Sequence, residues 1–375
     1  MLDARSYRTA GAANGILMRT SLKVSRKRVT MADVAVLAKC TQSTVSVVLN
    51  EVPNVKISPE TRQRIHEAAA TLGYVRERPP LARAKTARDI AVIFDDLTVC
   101  PEAVVAADGV REFTWETGDI VHVYNCHGDA EMESRTIEAI LRGGADAILY
   151  STVRTRQVEL PEQLIKTTTP VVLFNCYPKD RAQPSVVPGD VAGGSRATEL
   201  LITAGHRRIG HITGEAWMDV SKDRSRGYRD ALATADIPFD PALVREGNWQ
   251  LRSGYEGTLA LMALSRPPTA IFCSNDRMAI GCYEALKQLG LSIPGDVSVI
   301  GFDDDEIAAQ LIPTLTTLKF PRHLMGAWAA ERALSLGATR EASYRIAKIE
   351  CELVERESVG PVAEARATRK IAAGE

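Results

Sequence analysis

Gln42, Ser43 and Thr44 stand together at the start of a short amphipathic segment. An amide followed by two hydroxyls at a helix N-terminus suits the reading of base edges: Gln bonds adenine in bidentate fashion, and Ser serves either purine or pyrimidine partner. Lys39, Lys56, Arg62 and Arg64 flank this trio and are placed to meet phosphates. The wider charge distribution agrees. Residues 1–88 carry 16 Lys and Arg against 6 Asp and Glu, a balance of +10, while the rest carries 30 against 41, a balance of −11. A basic head on an acidic body directs the head toward a polyanion; a merely solvated charge run is the plain alternative.

Other chemistry finds less support. His206 and His211 raise a metal or general-base reading, but Gly205-His206 has the pattern of a helix end before a strand, where a structural hydrogen bond is expected. The seven cysteines (Cys40, Cys100, Cys126, Cys176, Cys273, Cys282, Cys351) are odd in number and form no CxxC, which argues against a disulfide framework or zinc knuckle and fits a reducing cytoplasm. There is no P-loop lysine motif, no GxGxxG and no GxSxG. The glycines of 189–194 read as helix packing rather than a phosphate cradle. No cofactor and no metal are therefore expected. No run of 18 apolar residues exists, so no spanning helix is expected, and Gly15–Met18 is too short for a signal-peptide core.

The elements that must position the base-reading trio are well punctuated. Thr30 caps a first helix with Asp33 three positions on, and Val34, Ala35, Leu37 and Ala38 form its apolar stripe. Lys39-Cys40-Thr41 is the turn, and Gln42–Leu49 the second helix. A third helix has Ser58 as cap, Pro59 at its first position and Gly73 just past its end. Two short helices joined by a three-residue turn make a helix-turn-helix, whose second helix lies in the major groove. A basic linker with Pro79 and Pro80 follows. Short apolar runs then alternate with helical segments, at 90–94, 120–124, 147–150, 170–174, 209–213, 270–273 and 297–301. That alternation predicts parallel sheets wound on both faces.

The fold class expected is thus an N-terminal all-α helix-turn-helix headpiece plus an α/β core of two doubly wound, parallel-sheet lobes facing a cleft. The expected division is a disordered tail at 1–27, headpiece at 28–74, linker at 75–88, core at 89–360 and a C-terminal tail at 361–375. Within the core, 89–202 with 316–341 form the expected lobe nearer DNA, and 203–315 with 342–360 the distal lobe.

Several segments together resemble the LacI/GalR family of bacterial transcription regulators: Val29-Thr-Met-Ala-Asp-Val-Ala35, Ser43-Thr-Val-Ser-Val-Val-Leu-Asn50, Ser58-Pro-Glu-Thr-Arg62 and Leu72-Gly-Tyr74, then Gly205–Gly214, Pro294–Asp304, Pro313–Thr317 and Glu352–Ser358. The resemblance spans about residues 29–360. It implies a cytoplasmic homodimer that binds pseudo-palindromic operator DNA and represses sugar or carbohydrate catabolism genes. It also implies a core resembling a periplasmic sugar-binding protein, with a small-molecule, sugar-type effector between its lobes. The effector positions so marked are Asp95, Asp190, Arg224, Trp249, Asn275, Phe302 and Asp303. For Asp190 and Asn275 helix capping is the plainer alternative, and for Trp249 and Phe302 it is core packing. The candidate DNA-contacting set is Thr30, Lys39, Thr41, Gln42, Ser43, Thr44, Val47, Asn50 and Arg62, with Leu81, Arg83 and Lys85 in the linker. At Val47 relatives often carry Arg or His, so the expected contact shrinks to a thymine methyl. In the linker, Lys85 falls where relatives place a leucine wedge, which predicts a hinge acting by charge through Arg83, Lys85 and Arg88, unless Leu81 serves as a shifted wedge. The competing readings are a solute-binding receptor without a DNA role, which would not need the +10 head, and a dinucleotide-dependent α/β enzyme, which lacks the fingerprint glycines.

Overall fold

The computed structural model describes residues 30–49, 57–72, 74, 87–336 and 346–362. Two compact units fall on either side of residues 83/84. The first contains α1 (Met31–Leu37), α2 (Gln42–Leu49) and α3 (Pro59–Leu72). Thr30 and Asp33 form a reciprocal capping box at the start of α1, so two N-terminal amides that the helix cannot satisfy are bonded by side chains. The Ser58 hydroxyl accepts from the Thr61 amide at the start of α3. The three apolar stripes then close one small core of Val34, Ala35, Ala38, Val45, Val48, Ile65, Ala68 and Ala69. The linker and both expected tails lie almost wholly outside the described residues.

In the second unit the order is β1 (Asp89–Phe94), α4 (Val105–Thr114), β2 (Ile120–Asn125), α5 (Ala130–Gly143), β3 (Ala147–Val158), α6 (Glu162–Lys166), β4 (Val171–Pro178), β5 (Ser185–Pro188) and α7 (Asp190–Thr203). The chain continues with β6 (Ile209–Thr213), α8 (Asp219–Thr234), β7 (Val244–Glu246), α9 (Leu251–Met262), β8 (Ala270–Cys273), α10 (Asp276–Gln288), β9 (Ser298–Ile300), β10 (Thr317–Lys319), α11 (Arg322–Ser335), β11 (Ile346–Ile349) and β12 (Glu352–Val354). One sheet has the order β11-β5-β4-β3-β1-β2 and another β7-β6-β8-β9, both parallel; β10 and β12 form an antiparallel pair. Strands covered on both faces read as continuous apolar runs. Ile90–Phe94 is such a run, with Ile90, Val92 and Phe94 in one cluster and Ala91 and Ile93 in the cluster on the opposite face. Each sheet therefore carries its own pair of cores, and the unit is two α/β lobes. Among the described residues, no helix is long and apolar enough to cross a membrane.

The lobe membership differs from the expected division in three places, one of them residues 316–319, expected in the first lobe, whose Leu318 lies in a second-lobe core and whose Thr316 and Lys319 bridge to Ile300 and Asp303. Helix α7 packs on α8 and shares a core with Ile209, Tyr228, Leu232 and Phe272, so residues 190–202 go with the second lobe. The glycines make this possible: a Cβ at Gly194 would stand 2.3 Å from the Arg224 carbonyl oxygen, and one at Gly227 would stand 2.1 Å from that of Val191. Strand β11 joins β5 in the first sheet, although 342–360 was expected in the second lobe. Strand β3 also runs past its apolar stretch. After a register shift beyond Ser151, Arg156–Val158 pair with Cys176–Pro178. This extension carries polar residues, which is why apolar periodicity stops short of it.

Candidate functional site

In the first unit the described residues read as DNA-contacting fall at the start of α1, in the turn that follows it, on α2 and on α3. Lys39 is exposed and sits in the left-handed region at φ 51°, which reverses the chain there. The Thr41 hydroxyl accepts from the Thr44 amide and bonds the Thr44 hydroxyl at 2.8 Å, so Thr41 has a capping duty for α2. Gln42, Ser43 and Val47 lie on α2, and Arg62 lies half-buried on α3. Thr30 is engaged in its capping box. Asn50, Leu81, Arg83 and Lys85 lie outside the described residues, as does the expected hinge up to residue 86; Arg88, expected to act there by charge, is instead paired with the buried Asp119 carboxylate at 2.8 Å.

The second site is a narrow cleft between the two lobes of the core, lined by Cys100, Val153, Arg154, Thr155, Val220, Arg224, Trp249, Asp303, Phe320 and Arg322. Its second-lobe wall is built around Arg224, whose side chain is 2% exposed. The Arg224 Nε donates to Asp190 Oδ1 at 2.8 Å, its Nη1 donates to the Ser274 carbonyl, and its Nη2 lies 3.8 Å from Asp303 Oδ1. Its guanidinium carbon lies 3.4 Å from the centre of the Phe302 ring. A cation this buried requires such company, because an isolated charge in an apolar interior is prohibitively costly. Burial pushes the Asp190 carboxyl up from its ordinary range even with Arg224 pulling it down.

Trp249 completes this wall. Its backbone is in the left-handed region at φ 67°, and its indole occupies the space where a Cβ of Gly214 would be, only 1.9 Å from Cζ2. Gly214 is thus required by a side chain that is distant in sequence. Asn275 caps α10 by accepting from the Met278 amide, and its Nδ2 donates to the Trp249 carbonyl. Both ends of Asn275 are engaged, so it holds the wall rather than lining the cleft. Asp190 and Phe302 likewise stand behind Arg224. Asp303, at φ 121°, does line the cleft, as do Arg224 and Trp249. Strained backbone at Trp249 and Asp303 is the kind of feature that gathers at binding sites.

The first-lobe wall is different. Asp95 follows β1, where open α/β sheets present strand ends to ligands, but its carboxylate turns to its own lobe. It accepts from the Asp96 and Val153 amides at 2.7 and 2.9 Å and pairs with Arg156 at 2.8 Å. It fixes the β3 extension and is not among the lining residues. Asn175, in the left-handed region at φ 60°, bonds Thr155 through its Oδ1 and the Thr152 carbonyl through its Nδ2. Its position after the apolar run 170–174 is the same strand-end signal that marks Asp95 and Asn275, and would have found it. Arg154, Thr155 and Arg322 gave no such signal, because they sit on the polar end of β3 and the start of α11. Cys100 also lines the cleft, and burial pushes its thiol up to about 11, which keeps it neutral. His206 bonds Thr269, Ser298 and the Gly360 carbonyl, and His211 stacks on Phe272; both are structural. Several buried polar atoms around the second-lobe wall lack a hydrogen-bond partner among the described residues: Asp190 Oδ2, Trp249 Nε1, Ser221 Oγ and Ser274 Oγ.

A helix-turn-helix unit on the same chain as a two-lobed, polar-lined α/β cleft defines a ligand-responsive DNA-binding protein. Comparison with known proteins agrees over nearly the whole described chain. The model for bacterial regulatory proteins of the lacI family matches residues 30–77, and that for the periplasmic binding protein-like domain matches residues 198–359. The ribose operon repressor of Haemophilus influenzae is 31% identical over 335 residues, covering 88% of this chain and 98% of the relative. The transcriptional repressor CytR of Escherichia coli is 31% identical over 334 residues, covering 88% and 96%. Among solved structures, the transcriptional regulator CelR–cellobiose complex matches with a TM-score of 0.63 at 28% identity, covering 88% of this chain and all of that one. The lac repressor dimer bound to operator and the anti-inducer ONPF matches with a TM-score of 0.62 at 25% identity, covering 89% and 100%. The chain belongs to the lacI family of bacterial regulatory proteins; it is a DNA-binding transcription regulator and not an enzyme.

Proposed function

We propose that this regulator is a cytoplasmic repressor of carbohydrate catabolism genes, and that a hydroxyl-rich, sugar-type small molecule seated between the core lobes controls its operator affinity. The observation that carries the reading is the second-lobe wall: buried Arg224, cleft-lining Asp303 and Trp249, with polar atoms that have no hydrogen-bond partner among the described residues. A carboxylate accepts from paired hydroxyls, a guanidinium donates, and an indole covers a C–H face. The relatives named for ribose and solved with cellobiose support a sugar-type ligand.

The regulator acts as a two-fold dimer on a pseudo-palindrome, because a single headpiece reads too few base pairs for useful specificity. Exposed apolar side chains on the first lobe suit such an interface: Val105 and Phe113 on α4, Trp115 just after it, Ile120 and Val123 on β2, and Leu324 on α11.

The test has two parts. Selection from a random duplex pool should return a symmetric sequence. Its binding, followed by anisotropy, should weaken with salt by about 0.9 log units per decade for each phosphate neutralised. Calorimetry with a panel of sugars and their acidic and phosphorylated derivatives should find a ligand that alters this binding. Asp303→Asn should weaken that ligand tenfold or more, since a hydrogen bond to a charged group contributes roughly 1.5–3 kcal/mol. Salt-independent DNA binding, or an unchanged ligand dissociation constant in the variant, would overturn the reading.

A further inference from the structure

The lining of the cleft is unbalanced in charge. It holds three guanidiniums, Arg154, Arg224 and Arg322, and a single carboxylate, Asp303. Two of the three cations are answered from within the protein. Arg224 is paired with buried Asp190, and Arg322 lies 3.9 Å from Asp303 and 3.6 Å from Asp305, whose carboxyl is pushed up to about 7 by burial and by Asp303. Arg154 has no such close pair. Among the described residues no carboxylate lies within ion-pair distance of its guanidinium, which instead stacks over the Trp249 ring at 4.9 Å. Arg224 approaches the same ring at 6.0 Å. Two guanidiniums thus converge on one indole from opposite walls of the cleft. Burial pulls the Arg154 pKa below the usual guanidinium value; Cys100 and the more distant carboxylates Asp303 and Glu215 act against that, and Arg224 adds to it. The Trp249 Nε1–H is also buried without an acceptor among the described residues.

A cation half removed from water, facing a like charge, is stabilised by an anion that binds there. An uncharged sugar offers Arg154 only hydroxyls. A carboxylate or phosphate offers two coplanar acceptor oxygens, matched to the guanidinium fork.

We infer that the effector carries an anionic group, a carboxylate or phosphate on a polyhydroxylated carbon skeleton, and that Arg154 of the first lobe pairs with it while the second-lobe wall holds the hydroxyls. This deepens the proposed function and rests on the cleft being the effector site. The pairing also gives the ligand a different partner on each lobe: its charge meets the first, its hydroxyls the second. Such a ligand favours the closed arrangement of the lobes, because only there are both sets of contacts made.

The experiment uses the full chain and matched ligand series: glucose, glucuronate and glucose 6-phosphate; galactose and galacturonate; ribose and ribose 5-phosphate. Calorimetry and thermal shift measure each, with wild type, Arg154→Gln and Arg154→Lys. At least one acidic or phosphorylated member should bind wild type ten times or more tightly than its neutral parent. Arg154→Gln should bring that ratio close to one, and Arg154→Lys should keep most of it. The ratio is a better readout than affinity alone, because a general loss of packing weakens both members equally. Whichever acidic series binds, uronates or sugar phosphates, identifies the anion. Neutral parents binding as well as their acids, or a ratio unchanged in Arg154→Gln, overturns the inference and leaves the cleft as effector site. Binding by no member of any series overturns both.

Discussion

The two walls of the cleft use the same residue type in opposite ways. On the second lobe, Arg224 is sealed under Phe302, bonded to Asp190 and to a backbone carbonyl, and its position is fixed before any ligand arrives. On the first lobe, Arg154 stacks on an indole contributed by the other lobe and has no ion pair among the described residues. The carboxylate expected to serve the ligand from this side, Asp95, is occupied in holding the β3 extension. One wall is therefore preorganised, while the other leaves its charge to be matched on binding. Preorganisation cuts the cost of ordering at the moment of binding, and an unmatched charge selects what binds.

The strongest test of this contrast is Arg224→Met. Removing one partner of a buried pair leaves Asp190 charged and alone, which costs about 3–5 kcal/mol. Urea denaturation should show the midpoint falling at constant slope, and Asp190→Asn in the same chain should recover part of the loss. A cost under about 1 kcal/mol would mean that Arg224 is not sealed as described.

Somewhat smaller is the pH effect of His211, on the strand beside α8. Burial pulls its pKa down from 6.5 to about 4, with Arg224 contributing in the same direction. The neutral form is favoured in the fold. Stability is therefore complete above about pH 6.5 and is lost as pH falls toward 4, by about 3 kcal/mol for this shift. His211→Phe should be less sensitive than wild type across that window, measured as the difference in denaturation free energy. Parallel pH profiles for the two proteins would show that the interior of the second lobe is wetter than its packing implies.

The smallest effect belongs to the first-lobe wall. Asp95→Asn loses the partly exposed pair with Arg156 but keeps a hydrogen-bond acceptor for the Val153 amide, so it should cost about 1 kcal/mol or less. Its reach into binding should be indirect, through the placing of residues 153–155. A loss of ligand affinity matching that of Asp303→Asn would instead put Asp95 in direct contact with the effector.

Much of this protein was legible in its residues alone. The helix-turn-helix was readable because it is local: Thr30 with Asp33, and Ser58 with Thr61, set helix starts through contacts three residues apart. The two-lobed α/β core was readable because parallel strands covered on both faces leave continuous apolar runs. Family motifs marked Arg224, Trp249 and Asp303 before any geometry was known. What the residues alone could not decide were the matters settled by long-range approach. Whether a carboxylate faces a ligand or an arginine depends on where strands that lie 61 residues apart in sequence come together, as Asp95 and Arg156 do. Whether α7 belongs to one lobe or the other depends on how closely Gly194 and Gly227 let two helices meet. The short strands β5, β7 and β10–β12 carry too few side chains for a period to register. Nothing in the residues around Arg154 or Arg322 marks either as part of a site. Only folding places both in one cleft, where the low dielectric makes it matter that Arg154 has no ion pair among the described residues.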